Sequence, residues 1–383
     1  MDCPSCGRAV PAGTHFCGWC GTPLAPAGPE PQAEHPSATG WRPAPLPRRR
    51  GVGAGIVAVL LAGLLIVGGG GLFLARSASA RPGAGSPEAA VDGLLGALGH
   101  YDLKRAAGFL SGEEQQAFQV YGDRLSRALA KQVATPPGAN PLAAVDLSFS
   151  DVTLRKVDGA GGTAVVEITG GSVAVKTPQG VRIQVPLEEA KRRLAGRTGQ
   201  PPSLRVVTVR SGGRWFVSLM ATAAEAARQL SGSGPANYAS LADRGGPAGS
   251  ASPDAAVRAL VAAASGTPAT PLERLAPDER AVARAYLATV LAGKGGPPWL
   301  HQGTVRIEGL GTRVEQLSDG VDRVYLSGTV RAGNTGRAVP LRPEHAGEPQ
   351  PYLVAIRSGG SWYPSLLFTM ADYAVTEAEG AHR

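Results

Sequence analysis

Apolar side chains recur with a helical period in two stretches of the chain, which begin at positions 86 and 252. The stretches are Ser86-Pro87-Glu88-Ala89-Ala90-Val91 and Ser252-Pro253-Asp254-Ala255-Ala256-Val257, and the same apolar spacing continues beyond each of them. Serine is a favoured N-cap, proline fits the first helical position, and an acid stabilises the first turn. The pattern predicts equivalent amphipathic helices at the start of two copies of one domain.

A later helix is predicted in each copy, because Leu110–Tyr121 matches Leu275–Tyr286 in pattern. Ser111 and Glu114 have the spacing of a capping box at the start of the first of these helices. The matched tyrosines, Tyr121 and Tyr286, are predicted to pack in the core.

The C-terminal half of each copy alternates apolar and polar residues, which predicts strands. Arg210–Phe216 recurs as Arg357–Tyr363, and each segment is predicted to be a hairpin around a Ser-Gly-Gly turn. Each copy is therefore expected to be an α+β domain, with helices first and then a meander of about four antiparallel strands, one face of which is covered by helices. We place the copies at residues 86–228 and 252–377, with a Gly/Ser/Ala linker at 229–251 and a tail at 378–383.

Gly51–Ala75 is a run of 25 residues without a charge, whereas about 20 apolar residues are enough to span a bilayer. Arg48, Arg49 and Arg50 precede the run, which favours a single transmembrane helix with a cytoplasmic N-terminus and an extracytoplasmic C-terminal part. The alternatives are a signal peptide cleaved near Ala78-Ser79-Ala80 and a buried core helix. The run and the segment before it are long for a signal peptide. A Pro-rich linker at 25–50 and a short linker at 76–85 flank the predicted helix.

All four cysteines lie in the first 20 residues, as Cys3, Cys6, Cys17 and Cys20. Two Cys-x-x-Cys pairs, each followed by glycine, have the spacing that brings four thiolates onto one tetrahedral Zn²⁺. Residues 1–24 are too few to bury a core, so metal binding would supply the folding energy. Two disulfides and a redox site are the alternatives, and a reducing cytoplasm argues against disulfides.

The composition excludes several classes of protein. The 383 residues include 53 Gly and 32 Pro without a period of three, so the chain is not collagen, and four cysteines are too few for a disulfide-rich secreted domain. The formal net charge of +8 is scattered, and the cysteine segment has one basic residue, Arg8. We therefore expect no binding to nucleic acid.

Two segments resemble known families. Cys3-Pro4-x-Cys6-Gly7, followed by Phe16-Cys17-x-x-Cys20-Gly21-Thr22-Pro23-Leu24, resembles the short bacterial zinc-ribbon domain, which implies a structural zinc without an open coordination position. The start of the first copy, with Asp102, Ala106 and Leu110, resembles the nuclear-transport-factor-like (cystatin-like) cone-shaped fold. The order of ribbon, linker, span and tandem outer domains resembles the TcaA-type envelope family.

Candidate catalytic residues are sparse. His100, His301, His345 and His382 do not match between the copies, and Asp102 beside Tyr101 is expected to be a helix cap. Trp215 and Trp362 lie on predicted strands and are expected in the core.

The sequence predicts a non-catalytic, single-pass protein of the bacterial cell envelope. Its outer domains would bind a protein or cell-wall partner, and its ribbon a cytoplasmic protein, as a sensor, regulator or scaffold. A membrane-tethered enzyme or small-ligand-binding protein that uses the cone pocket is the alternative, and a membrane-bound transcription factor is a weaker third.

Overall fold

The computed structural model describes Ala9 and residues 83–100, 102–132, 146–176, 182–189, 191–192, 203–264, 269–292, 305–332, 338–341 and 350–380. The chain divides into two units, Met1–Arg50 and Gly51–Arg383, and every element below belongs to the second. The predicted zinc ribbon with its four cysteines, the Pro-rich linker and the predicted span at 51–75 lie outside the described residues. Among the helices that the structure describes, none has the length and apolar character needed to cross a bilayer.

Within the described ranges, the first copy contains three helices, five strands and a closing helix, and residues 187–189 are also helical. The elements are α1 Pro87–Gly99, α2 Leu103–Ala107, α3 Gly112–Gln132, β1 Asp146–Asp158, β2 Thr163–Lys176, β3 Arg182–Pro186, β4 Leu204–Ser211, β5 Arg214–Ser218 and α4 Leu219–Leu230. A 3₁₀ helix, Tyr238–Ala242, lies between the copies, and its Tyr238 and Leu241 are buried.

The second copy has the same order of elements, so the prediction of tandem α+β domains is confirmed. Its elements are α5 Pro253–Ala263, α6 Ala269–Leu272, α7 Pro277–Ala292, β6 Val305–Ser318, β7 Val321–Ala332, β8 Ala338–Pro340, β9 Tyr352–Ser358, β10 Ser361–Ser365 and α8 Leu366–Gly380. The helix that closes each copy, α4 or α8, was not predicted from the sequence.

Each copy forms a five-stranded antiparallel sheet in which one long strand pairs with three others. In the first copy β2 pairs with β1 along one side, while its other side pairs with β4 over residues 163–168 and with β3 over residues 172–176. Gly171, with φ of 117°, lies where β2 passes from one partner to the other. A Cβ there would stand 2.9 Å from the Ser150 carbonyl oxygen, so only glycine fits. The predicted simple meander is therefore wrong, because β2 is shared.

The predicted local signals form as expected. Ser86 Oγ accepts a hydrogen bond from the Ala89 N–H at 3.1 Å, and Ser252 Oγ accepts one from Ala255 at 3.4 Å. The hairpin turns place two glycines at positive φ, with 55° and 80° at Gly212 and Gly213. These angles match a turn whose twist suits a two-residue hairpin, which alanine would strain.

Helices cover both faces of each sheet, which corrects the prediction of one covered face. Apolar residues of α1 pack on one face of the first sheet, against Val166, Val206 and Val217. The side chains of Val165, Val207 and Val209 point to the opposite face, because neighbours in a strand alternate. That face is covered by α4, by the 3₁₀ helix and by α7 of the second copy. Burial of each such valine or leucine contributes roughly 1.5–3 kcal/mol.

Candidate functional site

The two copies exchange equivalent helices, so each completes the core of the other. Tyr121 on α3 of the first copy is buried against the second sheet, with its ring 5.8 Å from that of Phe368 in an edge-to-face contact. Tyr286 on α7 of the second copy is buried against the first sheet, 6.4 Å from the Tyr238 ring. The prediction that these tyrosines pack in the core is confirmed, but each packs in the core of the other copy.

A buried carboxylate lies close to each exchanged tyrosine. Glu225 on α4 is fully buried and accepts hydrogen bonds from Arg228 at 2.6 Å, Arg205 at 3.2 Å and the Tyr238 hydroxyl at 3.0 Å. Burial by itself would raise the pKa of Glu225, but Arg228, Tyr238 and Arg205 together hold the pKa below its ordinary value. This carboxylate is therefore charged and satisfied within the first copy and the segment that follows it.

Asp372 on α8 occupies the equivalent position in the second copy and is also fully buried. It pairs with Arg323 of β7 at 2.6 Å and with Arg124 of α3 at 3.3 Å. Since α3 belongs to the first copy, Asp372 has both of its arginine partners only when the two copies pack together. A buried charge left without its partner is strongly destabilising.

Aromatic rings surround Arg323 on the same face of the second sheet. The Arg323 guanidinium lies 4.8 Å from the Tyr352 ring centre, and the Tyr352 and Tyr373 rings are stacked 4.2 Å apart. Arg313 lies 3.9 Å over Tyr325, whose hydroxyl donates to Glu315 at 2.6 Å. Sequence reasoning missed this cluster because its members come from α3, β6, β7, β9 and α8, with no shared motif. Such cation–π contacts stabilise the site by about 0.5–2 kcal/mol each.

Two further acids cap the closing helices. The Glu114 carboxylate accepts from the Leu219 N–H at 2.9 Å and from the Met220 N–H at 2.7 Å, at the start of α4. The predicted capping box is wrong, because the Ser111 N–H donates to the Val217 carbonyl at 2.9 Å. Burial raises the pKa of Glu114 to about 7, against the opposing effect of these hydrogen bonds.

Glu279 does the same in the second copy. Its carboxylate accepts from the Leu366 N–H at 2.8 Å and from the Leu367 N–H at 3.1 Å, and it is hydrogen-bonded to Ser365 Oγ. Burial likewise raises the pKa of Glu279 to about 7. The first N–H groups of each closing helix are therefore capped by an acid of the same copy, which is Glu114 of α3 for α4 and Glu279 of α7 for α8.

Glu113 and Asp278 meet where α3 and α7 begin, and they cap each other's helices. The Asp278 N–H donates to Glu113 Oε1 at 3.0 Å, and the Glu113 N–H donates to Asp278 Oδ2 at 3.4 Å. Arg244 is ion-paired with Asp278. Burial, together with the charge of Asp278, raises the pKa of Glu113 well above its ordinary value. Despite these neighbouring acids, no group of three metal-ligating side chains occurs within the described ranges.

The remaining sequence candidates are structural or undescribed. Asp102 caps α2 by accepting from the Arg105 N–H at 2.9 Å, as predicted. His100 is exposed, while Tyr101 and the other predicted histidines, His301, His345 and His382, lie outside the described residues. Trp215 and Trp362 are half-buried beside the core clusters and pair through their backbones with Ala84 and Ser250.

The closing helices differ on their outer faces. On α8, Met370 is 63% exposed and Leu366, one turn earlier, is 40% exposed. Met370 is the most exposed large hydrophobic side chain among the described residues. The equivalent of Met370 on α4 is Ala223, so the first copy lacks this apolar pair. Contiguous exposed apolar surface is one mark of a protein-binding site.

Comparison with known proteins gives little further information. No family model matches the chain, and no curated protein matches it. One solved structure, described as "Ntf2 like protein involved in plasmid conjugation", matches over 74% of this chain and 89% of its own, with 9% identity and a TM-score of 0.17. A likeness this weak does not establish a shared fold or function.

Proposed function

We propose that this chain is a non-catalytic, single-pass protein of the bacterial cell envelope. In this proposal a structural zinc ribbon held by Cys3, Cys6, Cys17 and Cys20 lies in the cytoplasm and contacts a cytoplasmic protein. The tandem α+β domains have the nuclear-transport-factor-like fold, lie outside the membrane and bind a protein or cell-wall partner. The chain would thus act as a sensor, regulator or scaffold.

The coverage of both sheet faces by the chain's own helices is the observation that carries this proposal. The space between α1 and the first sheet is filled by apolar side chains, and so is that between α5 and the second sheet. On the opposite faces the buried acids Glu225 and Asp372 are paired with arginines. These described groups are used to hold the fold, which favours binding on the outer surface.

Site-specific photocrosslinking in intact cells tests the outer partner. A photoreactive amino acid would replace Met370 on α8, and the matched control would carry it at Ala223 on α4. We expect crosslinked protein or cell-wall material mainly from position 370, because the exposed apolar pair occurs there. Equal capture from the two positions, or capture of lipid alone, would argue against the proposal.

Metal analysis tests the ribbon. The full-length protein, purified without chelator, is expected to contain about one zinc per chain, since four thiolates complete a tetrahedral shell. Cys3→Ser and Cys17→Ser should each lower the zinc content, whereas Ser5→Ala should not. A zinc-free protein with two disulfides would contradict the cytoplasmic assignment.

Protease accessibility tests the topology. Protease added to intact cells should remove the part of the chain after Arg76 and leave the ribbon protected. Protection of the C-terminal domains together with digestion of the ribbon would reverse the proposed orientation.

A further inference from the structure

The starts of α3 and α7 meet where the two copies join, and an acid in each first turn caps the other helix. Glu113 Oε1 accepts a hydrogen bond from the Asp278 N–H at 3.0 Å, and Asp278 Oδ2 accepts one from the Glu113 N–H at 3.4 Å. Each acid is the second residue of its helix. Two carboxyl groups therefore lie between two helix N-termini.

The two carboxyl groups are satisfied to different degrees. Asp278 is ion-paired with Arg244, and the N-terminal ends of both helices favour its negative charge. Glu113 is only 7% exposed, and within the described part of the chain its Oε2 atom is buried without a hydrogen-bond partner. A buried charge without a donor costs far more free energy than a buried neutral hydroxyl. Glu113 therefore fits this place as a neutral acid that carries its proton on Oε2.

The charged groups around this junction come from α3, from α7 and from the segment between the copies. They are Glu113, Glu114, Asp278, Glu279, Arg244 and Arg280. Glu114 and Glu279 direct their carboxyl groups to the starts of α4 and α8, and Arg280 donates to backbone carbonyl oxygens. Among the described residues, Arg244 is the one basic side chain that is ion-paired with any of the four acids. Burial, together with the charges of Asp278 and Glu279, raises the pKa of Glu113 well above its ordinary value.

We propose that Glu113 and Asp278 form a proton-sensitive junction between the two copies. One proton on the pair lets each carboxyl group cap the facing helix, with a single negative charge between the two helix ends. Loss of that proton to water leaves two negative charges in a buried place that has one arginine. Their repulsion then loosens the first turns of α3 and α7.

The junction is closed at low pH and loosens as the pH rises. The pKa of Glu113 is raised in the folded protein above the ordinary value of 4.5. The contribution of Glu113 to stability is therefore complete below about 4.5 and is lost as the pH rises through the raised pKa. The opposite dependence would require an acid whose pKa is lowered on folding.

Loosening at this junction affects both copies, because each of the two helices packs in the opposite core. Tyr121 of α3 lies in the core of the second copy, and Tyr286 of α7 lies in that of the first. The inference goes beyond the proposed function, since it requires neither the membrane nor an outer partner.

Hydrogen exchange of the full-length protein tests the junction. It is measured at about pH 5 and about pH 9, since buried carboxyl groups titrate within this range, and protection is corrected for the intrinsic pH dependence of exchange. We expect the starts of α3 and α7 to lose about tenfold in protection at the higher pH, which is within the usual range for coupled equilibria. The loss should exceed that in β4 and β9, which lie inside the two sheets.

Three variants make the assignment specific. Glu113→Gln still accepts from the Asp278 N–H but cannot ionise, so the starts of α3 and α7 should keep their protection at both pH values. The matched control is the double variant Glu114→Gln with Glu279→Gln, which removes the neighbouring buried acids and should retain most of the loss. If Glu113→Gln does not fold, Asp278→Asn removes the other charge of the pair and should make the loss smaller.

The proposal is overturned if the starts of α3 and α7 in the wild-type protein lose no more protection than β4 and β9. It is equally overturned if a folded Glu113→Gln or Asp278→Asn variant shows the full loss. Disappearance of the loss in the Glu114→Gln/Glu279→Gln control would assign the effect to the acids that cap the closing helices and would also overturn it.

Discussion

The buried acids of the two copies, Glu225 and Asp372, hold equivalent positions on α4 and α8 but have different partners. Glu225 is satisfied by Arg205 and Arg228 of its own copy and by Tyr238. Asp372 pairs with Arg323 of its own copy and, in addition, with Arg124, which the other copy supplies. The fold therefore keeps the buried acid in both copies, whereas the source of its counter-charge differs between them.

The two copies have matching hydrogen bonds at positions where a buried backbone N–H group needs an acceptor. Thr222 Oγ1 accepts from the Val207 N–H at 3.0 Å, and Thr369 Oγ1 accepts from the Val354 N–H at 2.8 Å. Both closing helices begin at a serine whose hydroxyl accepts a backbone hydrogen bond, and both follow a Gly-Gly hairpin. Buried N–H groups must be paired in any variant of the fold, so these positions have little freedom.

The largest expected effect separates the two copies at the matched positions Phe109 and Arg274. They lie two residues before Ser111 and Ala276, whose N–H groups donate to the carbonyls of Val217 and Pro364. The Phe109 ring is buried against Gly93, where a Cβ would stand 2.4 Å from it. Phe109→Ala should lower the free energy of unfolding by about 3–5 kcal/mol, because it leaves a cavity over Gly93. Arg274→Ala should change it by less than about 0.5 kcal/mol, since the side chain is exposed. Chemical denaturation of both variants measures the contrast, and similar losses would contradict the difference in packing between the two positions.

A second large effect on stability is expected at the buried acid Asp372. Asp372→Ala is expected to cost about 3–5 kcal/mol, because Arg323 and Arg124 lose the charge that they share. Arg124→Ala should destabilise the contact between α3 and α8 more than other parts of the fold. Hydrogen exchange would detect this as faster exchange in α8 than in α4. Equal acceleration in both helices would contradict the role of Arg124 as a counter-charge that the first copy supplies to Asp372.

The pH dependence of stability tests Glu114 and Glu279, the equivalent buried acids of the two copies. Burial raises the folded-state pKa of Glu114 and Glu279 to about 7, so the folded protein binds protons at these two acids more tightly than the unfolded chain does. Their contribution to stability is complete below the ordinary pKa of about 4.5 and is lost as the pH rises through about 7. The double variant Glu114→Gln with Glu279→Gln should flatten thermal stability over this range. An unchanged slope would show that neither acid titrates there.

The smallest expected effect is a matched pair of cap removals. Ser86→Ala and Ser252→Ala each remove one side-chain cap, so each should cost about 1 kcal/mol. Denaturation curves should show nearly equal losses, because the two N-cap serines have nearly the same backbone conformation, with φ of −133° at Ser86 and −140° at Ser252. Unequal losses would mean that one of the helices α1 and α5 is held mainly by packing.

Much of the architecture could be predicted from the sequence, because local signals set it. The caps at Ser86 and Ser252, the cap at Asp102 and the two Gly-Gly hairpins depend on residues close together in the chain. Two features could not be predicted in this way: the pairing of β2 with three other strands, and the helix that closes each copy. Both depend on packing between residues that are far apart in the chain. The Arg–Tyr cluster around Arg323 is of the same kind, because five elements contribute to it.

Sequence patterns alone indicate that the chain carries two copies of an α+β domain, because the helix caps, the apolar periods and the hairpin turns are each encoded within a few residues. The exchange of α3 and α7, which puts Tyr121 and Tyr286 in the core of the opposite copy, follows from the three-dimensional packing. The apolar pattern of a helix says that one face must be buried, but it does not say against which sheet. That choice depends on the shape and charge of surfaces that form only when both copies are folded.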